Sequence, residues 1–239
     1  MKILITNDDG IRAPQLLPLV RWAQKLGEVT VVAPKTEQSG KSHGVELHKS
    51  FEVKQVELAP GIRAYSVDST PADCVRCAVL GMHEKFDLVI SGINRGLNVG
   101  TDIVYSGTVG AIFEAAALGI QGVAFSTTPG FYDQAAQQLD KVWAYVQRHE
   151  LLKKHGLYNI NIPGPSEQIR ITRQGGPYYT DDFLPVGDDL WHPKGRSVYQ
   201  RAEDFDVDTN AVLTGGLISI TPLTMERTDL QVFAALKQK

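Results

Sequence analysis

The pattern of apolar and polar positions alternates along the chain between short apolar runs and longer segments with helical features. Short apolar runs, typical of buried strands, lie at residues 3–6, 28–33, 86–91, 121–126 and 157–162. Segments with helical periodicity or helix-capping residues lie between them, at residues 16–26, 70–82, 108–118 and 134–148. Regular alternation of strand and helix predicts an α/β fold built on a right-handed, mostly parallel sheet.

Two stretches break this alternation. Residues 45–67 carry short, partly alternating runs, which predict an antiparallel or mixed extension of the sheet. Residues 164–216 are rich in Gly, Pro, Asp, Tyr and Arg and hold too few apolar side chains for a core of their own. We therefore expect a core at residues 1–163. Residues 164–239 would form a β-rich extension that packs on another subunit and contains a short helix at 229–236.

The bulk composition is that of an ordinary globular protein of 239 residues, of which 43% are hydrophobic and 21% are charged. The formal net charge of −3 offers no basic surface for duplex DNA or RNA, whereas a mononucleotide is compatible with it. The chain has no apolar run of about eighteen residues, and it enters a strand at once without a signal-peptide pattern. We expect a cytoplasmic protein with no membrane partner.

Cysteines and histidines give weak signals. Cys74 and Cys77 have the C-x-x-C spacing of a redox pair or half a zinc site, but a second pair is missing. Both follow Thr70, a good helix N-cap, so they share one helix face and are expected to pack as small apolar groups. His43 and His48 lack a metal partner at motif spacing, and we expect structural or surface roles for them.

The first predicted strand ends in an acidic turn, Asn7 to Gly10. In an open parallel sheet, ligands bind at the carboxyl ends of the strands, where Asp8 and Asp9 would lie. Adjacent carboxylates repel each other unless a cation sits between them, and their oxygens suit Mg²⁺, Mn²⁺ or Ca²⁺. The alternative is a turn in which Asp8 or Asp9 only caps the following helix.

Two further loops follow predicted strands at the same edge of the sheet. Ser39 lies in the polar loop at 35–44, where a serine is either a turn former or a ligand that reaches the acidic turn. Asn94 and Asn98 lie in the loop at 91–110, which five glycines punctuate. Such a loop brings backbone N–H donors close to an anion.

A predicted helix start ends that second loop, and Ser106, Gly107 and Thr108 occupy it. Unpaired N–H groups and a partial positive charge make a helix N-terminus a natural phosphate site. The alternative is a glycine-rich turn with a Ser or Thr cap. Neither G-x-G-x-x-G nor G-x-x-x-x-G-K-[ST] occurs, so a dinucleotide fingerprint and a P-loop are not supported.

Several gapless stretches, in chain order, resemble the SurE (survival protein E) nucleotidases. They are ILITNDDG at 3–10, VVAP and QSG within 31–40, STPADCV at 69–75, DLVISGINRGLNVG and YSGTVGA within 87–111, and ISITPL at 218–223. Because these stretches extend over nearly the whole chain, the resemblance is more specific than a single shared motif.

The resemblance implies a Rossmann-like, mostly parallel sheet with helices on both faces. It also implies a β-rich C-terminal extension exchanged between the subunits of a homodimer or homotetramer. The implied activity is a divalent-metal-dependent phosphomonoesterase acting on nucleoside 5′-monophosphates, with 3′-nucleotides and short polyphosphate as further substrates. Carried over by position, the ligands of one Mg²⁺ or Mn²⁺ ion would be Asp8, Asp9, Ser39 and Asn94. The catalytic residues would be Asp8, Asp9 and Asn94, and the phosphate-binding residues Asn98, Ser106, Gly107 and Thr108.

Two other classes also place carboxylates after a first strand. A haloacid-dehalogenase-type phosphatase needs a second Asp two residues after its nucleophile, and Gly10 stands there. A receiver-like metal-binding signalling module without hydrolytic activity is the alternative hypothesis. Such a module is much shorter and leaves the loop at 91–110 unexplained.

Overall fold

The computed structural model describes residues 1–237. Its strands are β1 Lys2–Thr6, β2 Glu28–Pro34, β3 Val53–Val56, β4 Arg63–Val67, β5 Leu88–Arg95, β6 Gln121–Thr127, β7 Leu157–Ile162, β8 Ile169–Ile171, β9 Tyr179–Gly187, β10 Leu190–Ser197 and β11 Ile218–Pro222. Its α-helices are α1 Leu16–Ala23, α2 Pro71–Arg76, α3 Gly107–Ala117, α4 Tyr132–Arg148, α5 Leu151–Lys154, α6 Asp208–Leu213 and α7 Leu230–Lys237. A π-helical turn at Cys77–Gly81 continues α2, and a 3₁₀ helix at Gly100–Tyr105 precedes α3.

Nine strands form one sheet in the order β3-β4-β2-β1-β5-β6-β7-β11-β8. The six strands from β4 to β7 are parallel, and Ile5 of β1 pairs with Val31 of β2 and Ile90 of β5. The carboxyl ends of β1, β2 and β5 therefore meet at one edge, as the sequence predicts. β3 pairs antiparallel with β4, which confirms the predicted mixed extension within residues 45–67.

Helices cover both faces of the sheet because its strands are apolar on both sides. Ile3 and Ile5 of β1 point into a core formed with α1 and α4, while Leu4 points into a second core formed with α2 and α3. The predicted α/β fold with helices on both faces is confirmed. No helix within residues 1–237 is long and apolar enough to span a membrane.

The positions of Cys74 and Cys77 agree with the prediction that both pack as small apolar groups on α2 and its continuation. Thr70 is the N-cap of α2, and its side chain accepts a hydrogen bond from the N–H of Asp73. Cys74 is fully buried in the second core beside Leu4, and Cys77 is half-buried; both are free thiols. Burial raises the pKa of the Cys74 thiol well above its usual value, so this thiol is inert.

The main sheet continues beyond residue 163. β11 pairs antiparallel with β7, β8 pairs with β11, and α6 contacts β11 through its buried side. β9 and β10 form a separate hairpin whose residues are exposed, apart from the half-buried Thr180, and α7 is exposed throughout. The division into a core at 1–163 and an extension at 164–239 stays a prediction.

Candidate active site at the carboxyl ends of the parallel strands

The acidic turn after β1 is closed by its own asparagine. Asn7 Oδ1 accepts a hydrogen bond from Gly10 N at 3.1 Å, and Asn7 Nδ2 donates to Gly10 O at 3.0 Å. Gly10 has a φ of +97°, a conformation that glycine adopts without strain. This turn fixes Asp8 and Asp9 at the end of β1.

Asp8 lies under the first turn of α3 and is only 3% exposed. Its Oδ1 accepts from Thr108 Oγ1 at 2.6 Å, and its Oδ2 accepts from Thr108 N at 3.2 Å. Burial raises the pKa of Asp8 to about 6, and the charge of Asp9 adds to the rise, while the bonds from Thr108 oppose it. Within residues 1–237, no Lys or Arg side chain donates a hydrogen bond to this carboxylate.

Asp9 is more open than Asp8. Its Oδ2 accepts from Gln15 Nε2 at 2.6 Å and from the backbone N–H of Arg95 at 3.0 Å. Partial burial raises the pKa of Asp9, and the bonds from Arg95 and Gln15 counteract this effect. The alternative in which either aspartate caps α1 is wrong, because the N-cap of α1 is Gln15 and no side chain caps this helix.

The loop that carries Ser39 is tied to Asp8 and to Arg95, whose backbone N–H binds Asp9. Gln38 N donates to the backbone oxygen of Asp8 at 2.7 Å, and Glu37 Oε1 lies 3.4 Å from the guanidinium of Arg95. Ser39 itself is exposed, and its hydroxyl donates to Glu37 Oε1 at 2.7 Å. The structure therefore brings the loop to the acidic turn, with the serine side chain directed to Glu37.

Asn94 lies on β5 rather than in the loop that the sequence predicts there. β5 runs on to Arg95, with an irregular register between Ser91 and Asn94. Gly92 makes this possible, because its φ is +138° and an added Cβ would overlap the carbonyl oxygen of Phe125. Asn94 is half-buried, and its Nδ2 donates to Gly96 O at 2.9 Å.

Asn98 is part of a buried amide network that sequence reasoning missed. Its Nδ2 donates to Ser126 Oγ at 2.8 Å, and its backbone oxygen accepts from Asn159 Nδ2 at 2.7 Å and Asn161 Nδ2 at 2.8 Å. Asn161 Oδ1 in turn accepts from Asn98 N at 2.8 Å. The two asparagines in the otherwise apolar β7 were the signal that could have revealed it.

The residues at the start of α3 cap the helix and bind Asp8. Ser106 is the N-cap, and its Oγ accepts from Val109 N at 3.1 Å. An added Cβ on Gly107 would lie 3.0 Å from Asp8 Cβ, so the absence of a side chain lets Asp8 approach. Thr108 uses both its hydroxyl and its N–H on Asp8, which places a carboxylate where the sequence predicts a phosphate.

His43 has a structural partner, as the sequence suggests, while His48 lies in an exposed loop. His43 Nε2 lies 2.7 Å from Glu114 Oε2, and Arg76 Nη1 donates to the other oxygen of Glu114 at 3.1 Å. These hydrogen bonds, with His43 first, lower the pKa of the buried Glu114. The cluster attaches the loop at 35–44 to α3 and α2.

Comparison with known proteins identifies the family. Residues 3–181 match the family described as Survival protein SurE. The chain belongs to the SurE family. It is 40% identical over 256 residues to 5′-nucleotidase SurE of Geotalea uraniireducens, covering 100% of this chain and 98% of the relative. To 5′-nucleotidase SurE of Clostridium beijerinckii it is 36% identical over 250 residues, covering 98% and 97%. The crystal structure of the SurE protein from Aquifex aeolicus matches with a TM-score of 0.77 and 29% identity, covering 99% of this chain and 98% of that chain.

The donor set of this SurE chain fits a hard divalent cation. Two carboxylates, a hydroxyl and an amide oxygen are all oxygen ligands of the type that such ions prefer. Within residues 1–237, no three His, Cys, Asp or Glu side chains group as a metal site. The buried Asp8, which lacks a cationic partner in this part of the chain, has the charge that a bound cation would neutralise.

Proposed function

We propose that this chain is a divalent-metal-dependent 5′-nucleotidase that hydrolyses nucleoside 5′-monophosphates to nucleoside and phosphate. The observation that carries the proposal is the buried carboxylate of Asp8, which lies beside Asp9 at the start of α3 and accepts no hydrogen bond from a Lys or Arg side chain of residues 1–237. The full-length similarity to proteins named 5′-nucleotidase SurE supports the substrate class. We also propose nucleoside 3′-monophosphates and short polyphosphate as substrates of this enzyme.

The proposed metal ligands are Asp8, Asp9, Ser39 and Asn94, and the proposed ion is one Mg²⁺ or Mn²⁺. Asn94 Nδ2 already donates to Gly96, which leaves its amide oxygen to coordinate. A bound cation would supply Lewis-acid polarisation of a phosphoryl oxygen. Asn94 would thereby be catalytic together with the two aspartates.

The two aspartates have different proposed roles. Asp8 is buried and held by Thr108, so its role is to bind and orient. Asp9 is more open, and its Oδ2 is held by Gln15 and Arg95, so we assign it the proton of the attacking water.

The residues proposed to form the phosphate site are Asn98, Ser106, Gly107 and Thr108. Thr108 donates both of its polar hydrogens to Asp8, so its proposed part is to hold that carboxylate at the edge of the site. Ser106 Oγ accepts from Val109 N, which leaves its own hydrogen to donate to a phosphoryl oxygen. The partial positive charge at the start of α3 favours the anion. Asn98 is buried and donates a hydrogen bond to Ser126. It is therefore held rigidly and can position the loop at 91–110.

We also propose a homodimer or homotetramer, in the cytoplasm, assembled through the C-terminal extension. Support comes from the apolar side chains that the hairpin and α7 expose, including Phe183, Trp191 and Leu236 at 62%, 64% and 67%. Exposed apolar area on this scale favours association.

The test is phosphate release from AMP by the purified protein before and after EDTA treatment, with Mg²⁺ or Mn²⁺ added back. We expect release that EDTA abolishes and one of the two ions restores. Asp8→Asn should abolish turnover while leaving the circular dichroism spectrum unchanged. Metal binding without phosphate release from any nucleotide or simple phosphomonoester would instead support the receiver-like alternative.

A further inference from the structure

A cleft of about 610 Å³ lies between the 3₁₀ helix at Gly100–Tyr105 and the base of the β9–β10 hairpin. Its walls include Tyr105, Tyr179 and Gly40. Tyr105 directly precedes Ser106, and Gly40 directly follows Ser39. The cleft therefore adjoins the two segments that carry the proposed phosphate and metal residues, although none of those residues lines it.

Hydrogen bonds fix both walls of this cleft. Asp102 Oδ2 accepts from the backbone N–H groups of Tyr178 at 3.0 Å and Tyr179 at 2.6 Å, which ties the hairpin base to the 3₁₀ helix. Ser42 N donates to Tyr105 O at 3.0 Å, and Ser42 Oγ donates to Val104 O at 2.6 Å. The loop that carries Ser39 is thereby attached to the same helix, so the cleft is preformed.

The lining combines exposed aromatic rings with neutral and acidic polar groups. Tyr105 is 66% exposed and Tyr179 is 47% exposed, so both rings are open to a ligand from solvent. Thr101, Thr180 and Asp181 add polar groups. Among the described residues that line it, none is Lys, Arg or His. This chemistry suits a flat, uncharged ring and a hydroxylated sugar, and it disfavours additional phosphate groups.

We propose that this cleft is the nucleoside subsite of the enzyme, with Tyr105 as the platform on which the base stacks. The proposal rests on the proposed 5′-nucleotidase function. Stacking uses the π-face that every base has, so the subsite accepts purines and pyrimidines alike.

The test compares AMP with ribose 5-phosphate, which shares the phosphate and the sugar but lacks the base. We expect Tyr105→Ala to lower kcat/KM for AMP by about tenfold or more, the usual effect of losing one base–aromatic stack. The same variant should leave kcat/KM for ribose 5-phosphate unchanged. Tyr105→Phe keeps the ring and should restore AMP hydrolysis. Tyr145→Ala removes a tyrosine of α4 whose ring packs on His149, and it serves as the matched control.

Equal losses for both substrates would overturn the proposal, because Tyr105 would then act only through the position of Ser106. Unchanged AMP kinetics would overturn it as well. Adenosine binding, measured by NMR on the EDTA-treated protein and on Tyr105→Ala, separates the two proposals. If the wild type hydrolyses no phosphomonoester but binds adenosine through Tyr105, the proposed function fails and the subsite stands. If the wild type hydrolyses AMP and Tyr105→Ala has no effect, the proposed function stands and the subsite fails.

Discussion

Thr108 donates both of its polar hydrogens to Asp8, the hydroxyl at 2.6 Å and the backbone N–H at 3.2 Å. The first turn of α3 therefore holds the most buried carboxylate of the site across the carboxyl end of β1. A buried carboxylate without such donors would carry the full cost of its lost hydration. Thr108 thus offsets part of this cost and holds Asp8 in place.

Thr108→Val removes the hydroxyl and keeps the shape of the side chain and the backbone N–H. We expect kcat for AMP to fall about 10- to 100-fold, since a hydrogen bond to a charged group contributes about 1.5–3 kcal/mol. Thr108→Ser keeps the hydroxyl and should retain most of the activity. Steady-state kinetics on the three proteins check this, and equal rates for wild type and Thr108→Val would show that the hydroxyl does not matter.

Gly107→Ala tests how closely Asp8 must approach α3. An added Cβ would lie 3.0 Å from Asp8 Cβ and 3.2 Å from Asp8 Oδ2, so the carboxylate must move by a few tenths of an ångström. We expect about a tenfold loss of kcat with a normal fold, because small displacements of catalytic groups are costly. Gly156→Ala, whose added Cβ meets open space, is the control and should have wild-type activity.

The outline of the fold was predictable because each buried strand needs a continuous apolar run, and such runs are visible in the sequence. The place of Asp8 and Asp9 followed in turn from the direction of β1. The contact of Asp8 with Thr108 was not predictable, because it depends on how closely α3 approaches across the sheet. Nor was the pairing of β8 and β11 with the main sheet, since both strands are short and the hairpin separates β11 from β7 along the chain.

The amide network behind Asn98 was missed for a related reason. Asn159 and Asn161 lie on β7, a strand whose other residues are apolar, and both donate to Asn98 O. A buried polar side chain needs a partner, so their presence indicates that one exists. The sequence does not identify it, because Asn98 lies in the loop after β5, and β6 lies between β5 and β7 in the sheet.

Glu114→Gln should destabilise the protein at neutral pH. Glu114 is 5% exposed and accepts from Arg76 and His43, and these bonds hold its pKa below the usual 4.5. A carboxylate with a lowered pKa stabilises the fold above its unfolded-state pKa, and this contribution is lost as the pH falls through the folded-state pKa. The loss of about 1–3 kcal/mol at pH 7 should therefore shrink toward pH 4.

Chemical denaturation of Glu114→Gln and wild type at both pH values measures this difference. Asp182→Asn breaks the exposed ion pair with Arg196 and is the control, which should shift the midpoint far less. A difference for Glu114→Gln that stays the same from pH 7 to pH 4 would contradict the assigned role of the carboxylate.

The β9–β10 hairpin should determine the oligomeric state. Within residues 1–237 its two strands pair only with each other, and they expose Phe183 and Trp191 at 62% and 64%. A two-stranded ribbon is marginally stable alone, so a second copy that covers these rings would stabilise it. We expect wild type to be an oligomer by light scattering and Phe183→Ser with Trp191→Ser to give smaller species. Lys194→Ser, on the same strand as Trp191, is the control and should leave the mass of the oligomer unchanged. A wild-type monomer, or a double variant of unchanged mass, would mean that the hairpin does not assemble the protein.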